Sequence, residues 1–344
     1  MPESRHPTGE SEAYAWYVVG VLTIANVCAL VDRQILSLMV EPIRKDLGIA
    51  LTDMALLYGF PFAVFFTLLG LPIARWADSG NRRNIVGIGI ALWSVMTAIS
   101  GLAGSFSKLM LARIGVGVGE ASLQAPASSI LADYFTGTRR GAALSVYQTG
   151  VFIGSGVAYA IGGWVVDYTA RSSVHWPIVG ELRPWQAVFM LVGLPGLLVA
   201  ALVLTVREPA RASAATRTAM PVRAIIAHFR SNARAFLPML SGFTLSASVN
   251  WGIAAFLATH LLQSHGWTAT RAGGVQGALT ISLGPVGVLL GGWLDSQFRK
   301  RGLVDGPIRV GMIGAAGMLV SASAYPFASG DTSVIVWLAI VNVF

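Results

Sequence analysis

Two stretches of this sequence resemble each other and decide the fold: GLPIARWADSGNRR at residues 70–83 and GVLLGGWLDSQFRK at residues 287–300. They align without gaps. In both, a Gly lies eight residues before an Asp, a Trp two residues before it and a Ser one residue after it, and two basic residues follow. A repeat of this kind indicates a chain built from two similar halves.

The composition indicates a membrane protein. Of 344 residues, 54% are hydrophobic and only 12% are charged, whereas soluble domains have about 25% charged residues. A helix that crosses a bilayer needs about 20 predominantly apolar residues. The apolar runs that meet this requirement lie at residues 14–31, 56–73, 85–103, 144–166, 187–206, 236–262, 275–294 and 308–327.

Two further runs are less regular. Residues 109–131 are interrupted by Arg113 and Glu120, and a tenth run begins at Val334 and reaches Phe344. None of the runs alternates apolar and polar residues as barrel strands do. We therefore expect an all-α membrane protein with about nine complete spans and part of a tenth.

The positive charge reflects topology. The formal net charge is +8, and when the loops are assigned alternately to two sides, most Lys and Arg residues share the side of the N-terminus. By the positive-inside rule this side is cytoplasmic, and no nucleic acid partner is expected. A lone Cys28 excludes a disulfide framework or a cysteine zinc cluster within this chain. No cleaved signal peptide is predicted.

The domain organisation follows from one long polar interruption. We predict a cytoplasmic N-tail at residues 1–13 and a six-helix bundle at 14–206. A cytoplasmic linker is predicted at 207–235, with a surface helix near residues 224–230. A second, incomplete bundle is predicted at 236–344.

The repeated loop resembles the loop motif of the major facilitator superfamily, which recurs between spans two and three and between spans eight and nine. Ala74 and Ser79 depart from that motif, whereas Asn81 followed by two basic residues is similar to the Spinster-like transporters. The stretch RIGVGVGEAS at residues 113–122 resembles the fourth span of that family. The resemblance covers nearly the whole chain.

The resemblance implies two helical bundles around a central cavity, which spans one, four, seven and ten line. A complete member has twelve spans, so we expect roughly the last three to be missing or partial here. The resemblance also implies a transporter that works by alternating access. Its expected substrate is an amphipathic or lipid-like molecule, often with an anionic head.

Charged residues within the spans are the main functional candidates, because each costs about 2.5–3.5 kcal/mol at a helix centre. Asp32 and Arg33 are predicted to lie within an extended first helix. Adjacent helix positions point about 100° apart, so each can have its own partner. Arg113 and Glu120 are seven residues apart and share one face of the fourth span. The resemblance implies that all four line the cavity.

We hypothesise that Asp32 and Glu120 are the proton-coupling carboxylates and that Arg33 is a charge partner or substrate anchor. The alternative is a fixed ion-pair network between spans one and four. Arg113 is expected to snorkel outward or to bond a neighbouring helix. The lower-ranked candidates for substrate binding are Asn250, Tyr147 and Gln148.

The repeated loops are predicted to form a cytoplasmic gate, because short polar residues suit a tight turn and opposite charges can pair between spans. The alternative is that these charges only fix the helices at the interface. The predicted gate residues are Asp78, Arg82, Arg83, Asp295, Arg299 and Lys300.

Energy is expected to come from a proton gradient, with no cofactor or metal. The glycine pattern at residues 115–119 follows no strand, so it is not a nucleotide-binding fingerprint, and no P-loop occurs. The rival functions are a proton-coupled carrier of small organic anions or drugs and, less favoured, a membrane-embedded enzyme. We expect a monomer in the plasma membrane, here a bacterial inner membrane, with lipids, protons and substrate as partners.

Overall fold

The computed structural model describes residues 10–169, 174–176, 180–211 and 222–344. Its helices, in chain order, are α1 (Glu12–Leu38), α2 (Val40–Leu47), α3 (Leu51–Phe60), α4 (Thr67–Ser79), α5 (Arg82–Ser100), α6 (Phe106–Glu120), α7 (Gln124–Tyr134), α8 (Gly137–Thr169), α9 (Pro184–Val203), α10 (Val222–Ser231), α11 (Ala233–His265), α12 (Ala269–Lys300), α13 (Gly306–Ala324) and α14 (Asp331–Val343). A π-helix (Pro61–Phe66) joins α3 to α4, and a 3-10 turn (Tyr325–Phe327) follows α13.

The predicted spans are confirmed. Within the described ranges, eight helical segments are long and apolar enough to cross a bilayer, and they match the eight uninterrupted runs. The interrupted run forms α6 and α7, which are separated by a turn directly after Glu120. The tenth run forms α14. The extended first helix is also confirmed, because α1 continues past Arg33 to Leu38.

Polar side chains fix where several helices begin. The Ser11 hydroxyl accepts a hydrogen bond from the Tyr14 N–H at 3.2 Å and caps α1. The Asn81 side chain caps α5 by accepting from the Asn84 N–H at 2.9 Å. Such caps satisfy backbone donors that lack a partner in the first turn of a helix.

The helices run between two ends of the molecule. We call the end where α1 begins the N-face and the opposite end the far face. In the first bundle, α1, α5, α7, α8 and α9 share a buried apolar core that includes Leu22, Trp93 and Tyr134. A second core at the far face includes Ile35 and Trp185.

Glycines bring α8 of the first half against α12 of the second half. A Cβ added at Gly277 would lie 2.5 Å from the carbonyl oxygen of Gly156, and one added at Gly273 would lie 2.1 Å from that of Tyr159. Small residues allow such close approach of membrane helices. At the far face, Gln263 also donates a hydrogen bond to Glu41 at 2.8 Å.

The contacts between the halves extend from the middle of α8 and α12 to the far face. Towards the N-face, residues 237–245 of α11 are exposed. Among the described residues, the contacts that these glycines and Gln263 make between the halves therefore lie from mid-helix to the far face.

Two smaller elements complete the description. An antiparallel hairpin pairs Val174–Trp176 with Gly180–Leu182, which the sequence analysis did not predict. The predicted surface helix of the linker is confirmed as α10. The predicted N-tail up to residue 9 and residues 212–221 of the predicted linker lie outside the described residues.

Candidate functional site

Four charged side chains meet inside the first bundle, and we call them the charge cluster: Asp32 and Arg33 from α1, and Arg113 and Glu120 from α6. Asp32, Arg113 and Glu120 are only 2%, 5% and 2% exposed. The Arg33 side chain is 19% exposed. The structure thus brings together the four charged residues that the sequence analysis selected.

Arg33 and Glu120 form an ion pair across the first and fourth spans. Both the Nε and the Nη2 of Arg33 donate to Glu120 Oε2, the former at 3.2 Å. The guanidinium carbon of Arg33 also lies 5.4 Å from the Trp251 ring centroid and 5.9 Å from that of Phe66. Because Trp251 belongs to α11, Arg33 contacts both halves.

Asp32 points to a different set of neighbours. Its carboxylate faces the side chains of Trp93 and Thr97 on α5 and the charge of Arg113. Arg113 Nη1 donates to the backbone oxygen of Asp32 at 3.5 Å. Asp32 and Arg33 therefore interact with different partners, as their adjacent helix positions allow, although Glu120 lies near both.

Arg113 bonds a neighbouring helix and does not snorkel. Its guanidinium carbon lies 4.4 Å from the ring centroid of Phe189 on α9, and the side chain is buried. Of the two expected arrangements, Arg113 therefore adopts the bond to a neighbouring helix, because an aromatic face and a backbone carbonyl offer the guanidinium interactions inside the bundle.

A small pocket adjoins the charge cluster. Charged groups of Arg33, Arg113 and Glu120 form part of its wall, and apolar and aromatic residues form the rest. The latter are Leu36, Leu57, Tyr58, Pro61, Val116 and Gly117. The lining therefore combines charged groups with apolar and aromatic side chains.

The structure does not bring Tyr147, Gln148 or Asn250 into the charge cluster. Tyr147 is buried in the first bundle, where its hydroxyl donates to Gln124 Oε1 at 3.3 Å and its backbone oxygen accepts from Asn26. Gln148 and Asn250 are exposed. Their proposed roles in substrate binding stay predictions.

Arg82 connects three parts of the first bundle at the N-face. Its Nε donates to Glu208 at 2.6 Å and its Nη1 to Asp133 at 2.5 Å and to Ser129. The backbone N–H of Arg83 also donates to Glu208, at 2.9 Å. These bonds join α5 to α7 and to the segment after α9.

The other predicted gate residues make different contacts. Asp295 pairs with Arg299 one turn further along α12, at 2.8 Å, and both Asp78 and Lys300 are exposed. Within the described ranges, Asp78 has no side-chain partner. The gate therefore stays a prediction, and Arg82 has an additional role within its own bundle.

Sequence reasoning missed Trp93 and Thr97. They are four residues apart on α5, so they lie on the same face, and they are buried. A search for polar groups at helical spacing in span three could have found them, but neither is charged. Across the residues that the structure describes, no group of three or more His, Cys, Asp or Glu side chains could hold a metal ion.

Together the fold and this site define a polytopic α-helical membrane protein whose first helical bundle encloses a charge cluster. The sequence profile of the Major Facilitator Superfamily matches residues 22–344. Crystal structures of a bacterial homolog of the human lysosomal transporter Spinster are 30% identical in sequence, with TM-scores of 0.77 and 0.78. The matches cover 97% of this chain and 73% and 72% of those chains. The chain belongs to the major facilitator superfamily, and its relationship within it is to the Spinster proteins.

Other relatives are named for different transport functions. An MFS-type efflux pump of Mycolicibacterium smegmatis is 25% identical over 87% of this chain and 66% of its own length. A probable L-galactonate transporter of Escherichia coli is 26% identical over 88% of this chain and 66% of its own length. The chain spans between half and two thirds of the length of such curated relatives.

Proposed function

We propose that this protein is a proton-coupled secondary transporter that moves an amphipathic, anionic substrate by alternating access of its two halves. The observation that carries the proposal is the ion pair between Arg33 and Glu120, which borders a partly apolar pocket. Membership of the superfamily supports movement of the two halves about a central site.

The ion pair links proton binding to substrate binding. A proton on Glu120 removes its negative charge and weakens its attraction to Arg33. Arg33 then pairs more readily with an anionic group in the pocket, since a guanidinium binds carboxylate and phosphate oxygens well. Linkage is reciprocal, so an anion that draws Arg33 away favours protonation of Glu120.

The net charge of the charge cluster gives a second reason why proton binding and anion binding are linked. With both carboxylates ionised, the two negative charges of Asp32 and Glu120 balance the two arginines. One added proton leaves a net positive charge, and an uncompensated charge in the membrane interior costs several kcal/mol. A bound anion restores neutrality, so the proton and the anion stabilise each other in the site.

Trp251 connects the cluster to the second half. Because its ring lies against the Arg33 guanidinium, a change in the position of Arg33 alters a contact between the halves. A ligand shifts an equilibrium between two conformations only through different interactions with each. The contact between Arg33 and Trp251 supplies such a difference near the far face.

The pocket lining supports an amphipathic substrate, such as a lysophospholipid or a sphingolipid with an anionic head. A carrier of small organic anions or drugs is the second candidate. The similarity to the mycobacterial efflux pump and to the probable L-galactonate transporter supports it. Neither candidate requires a cofactor beyond the proton gradient. The arginine-rich loops support a plasma membrane protein, in a bacterium the inner membrane, with the N-face cytoplasmic.

The proposal is tested in proteoliposomes that hold the full-length protein under an imposed pH gradient. The panel compares an anionic lysophospholipid, a lysophospholipid without net charge and a short-chain organic anion. Accumulation of the anionic lysophospholipid that stops when a protonophore is added supports the proposal. Accumulation of the short-chain anion alone favours the second candidate, and accumulation of none of them under any gradient contradicts both.

A further inference from the structure

A set of buried polar atoms surrounds the carboxylate of Asp32. They are Asp32 Oδ1, Trp93 Nε1, Thr97 Oγ1 and two nitrogens of Arg113, Nε and Nη2. Each of these atoms is buried and has no hydrogen-bond partner in the described part of the chain. The set includes three groups that can donate to a carboxylate: an indole N–H, a hydroxyl and a guanidinium.

The two α5 side chains face Asp32 closely enough to interact with its charge, and their donor atoms have no other hydrogen-bond partner within the described residues. Leaving a buried donor unsatisfied costs about 1–3 kcal/mol. The Asp32 carboxylate is the acceptor that both donors face.

Packing holds Trp93 in this position. A Cβ added at Gly119 of α6 would lie 2.7 Å from the backbone nitrogen of Trp93 and 2.8 Å from its Cβ. The backbones of α5 and α6 are therefore in close contact beside Glu120. This contact fixes the position of the Trp93 backbone beside α6.

We propose that Trp93 and Thr97 are positioning residues of the proton site: their donor groups hold the Asp32 carboxylate in place and set the pH at which it exchanges its proton. This inference rests on the proposed function. It adds span three to a site otherwise built from spans one and four.

The sign of the effect follows from the chemistry of the donors. A hydrogen bond donated to a carboxylate favours the charged form, so loss of a donor makes the carboxylate keep its proton to higher pH. The titratable and charged groups around Asp32 are Glu120 and Arg113 from α6, and Cys28 from α1. The α5 helix contributes only the two donors, so their removal leaves the charge of the cluster unchanged.

The test compares Thr97→Val and Trp93→Phe with wild type. Both variants remove a donor and keep most of the side-chain volume. We expect the pH at which gradient-driven uptake is half-maximal to rise by about half a unit to one unit per donor removed. Thr97→Ser keeps the hydroxyl and is therefore expected to keep the wild-type pH profile of uptake.

Ser94 provides the matched control. It is buried on the same helix, but its hydroxyl faces α9, where a Cβ added at Gly196 would lie 2.1 Å from it. Ser94→Ala is therefore expected to leave the pH profile unchanged. Stability is checked for every variant by thermal unfolding, because a purely structural role would lower stability without moving the profile.

A second readout does not depend on transport. Infrared difference spectra recorded across a pH titration contain a carbonyl band of the protonated Asp32, identified by its loss in Asp32→Asn. The midpoint of this band is expected to move to higher pH in Thr97→Val. Unmoved midpoints in Thr97→Val and Trp93→Phe overturn the inference. If uptake in wild type is independent of the proton gradient, the proposed function fails instead.

Discussion

The guanidinium carbon of Arg33 lies 5.4 Å from the ring centroid of Trp251, so the residue that pairs with Glu120 in the first bundle also contacts the second half. The Tyr58 ring lies 6.3 Å from the Trp251 ring. Tyr58 in turn donates to Gln34, the residue after Arg33, at 2.9 Å. An aromatic pair therefore joins the charge cluster to the interface between the halves.

Replacing Trp251 is expected to slow transport. A cation–π contact contributes about 0.5–2 kcal/mol, so Trp251→Ala should reduce the initial rate of uptake by roughly 2- to 30-fold. Trp251→Phe keeps a ring and should lose less. Trp164→Ala, on an exposed position of α8, serves as the control, and equal losses in Trp251→Ala and Trp164→Ala would argue against a specific role.

Substitutions of Arg33 and Glu120 are expected to have strongly non-additive effects on the free energy of unfolding. Breaking a buried pair leaves an uncompensated charge and costs about 3–5 kcal/mol. Glu120→Gln and Arg33→Gln should each lower the free energy of unfolding in detergent, while the double variant should lose clearly less than the sum. The more exposed pair of Asp295 and Arg299 is the control, for which removal should cost at most about 1 kcal/mol.

Arg82→Lys is expected to destabilise the first bundle by about 2–5 kcal/mol. A lysine ammonium cannot reproduce the fork that reaches Asp133, Glu208 and the carbonyl of Pro209 together. The measurement is thermal or denaturant unfolding in detergent. Arg75→Lys, at an exposed position of the preceding helix α4, should have the stability of wild type. Equal stability of the two variants would contradict the idea that Arg82 stabilises the first bundle through its bonds to Asp133, Glu208 and Pro209.

Gly277→Ala is expected to separate α8 from α12. The added Cβ would lie 2.5 Å from the carbonyl oxygen of Gly156, and overpacking of this kind costs about 1–3 kcal/mol. Gly274→Ala is the matched control, because a Cβ there meets no atom within 4 Å. Cysteine-accessibility labelling at the far face should increase in Gly277→Ala and stay unchanged in Gly274→Ala; unchanged labelling in both would count against the glycine contact.

The fold was largely predictable because it depends on local signals. Long apolar runs predict membrane helices, and apolar residues on both sides of Asp32 and Arg33 predicted the extended α1. Helix geometry also indicated that these two residues need not pair with each other. The hairpin at Val174–Trp176 could not be found this way, because a strand of three residues leaves no clear periodic pattern.

The site was only partly predictable because its contacts join distant parts of the chain. The sequence identified Arg82 but not its partners Asp133 and Glu208, which lie 51 and 126 residues further on. Trp93 and Thr97 carry no charge, and their relation to Asp32 depends on how α5 packs against α1. Burial of Arg113 likewise depends on Phe189 of α9.

The central claim is that the charge cluster couples protons to transport, and the most direct test is substrate-driven proton movement. Wild-type protein, Asp32→Asn, Glu120→Gln and the control Asp305→Asn, whose side chain is 45% exposed, are each reconstituted into proteoliposomes that contain a pH indicator. A substrate gradient is then imposed without a pH gradient. The account predicts a pH change in wild type and Asp305→Asn that is lost in Asp32→Asn and Glu120→Gln. Substrate movement with an undiminished pH change in both cluster variants would contradict it.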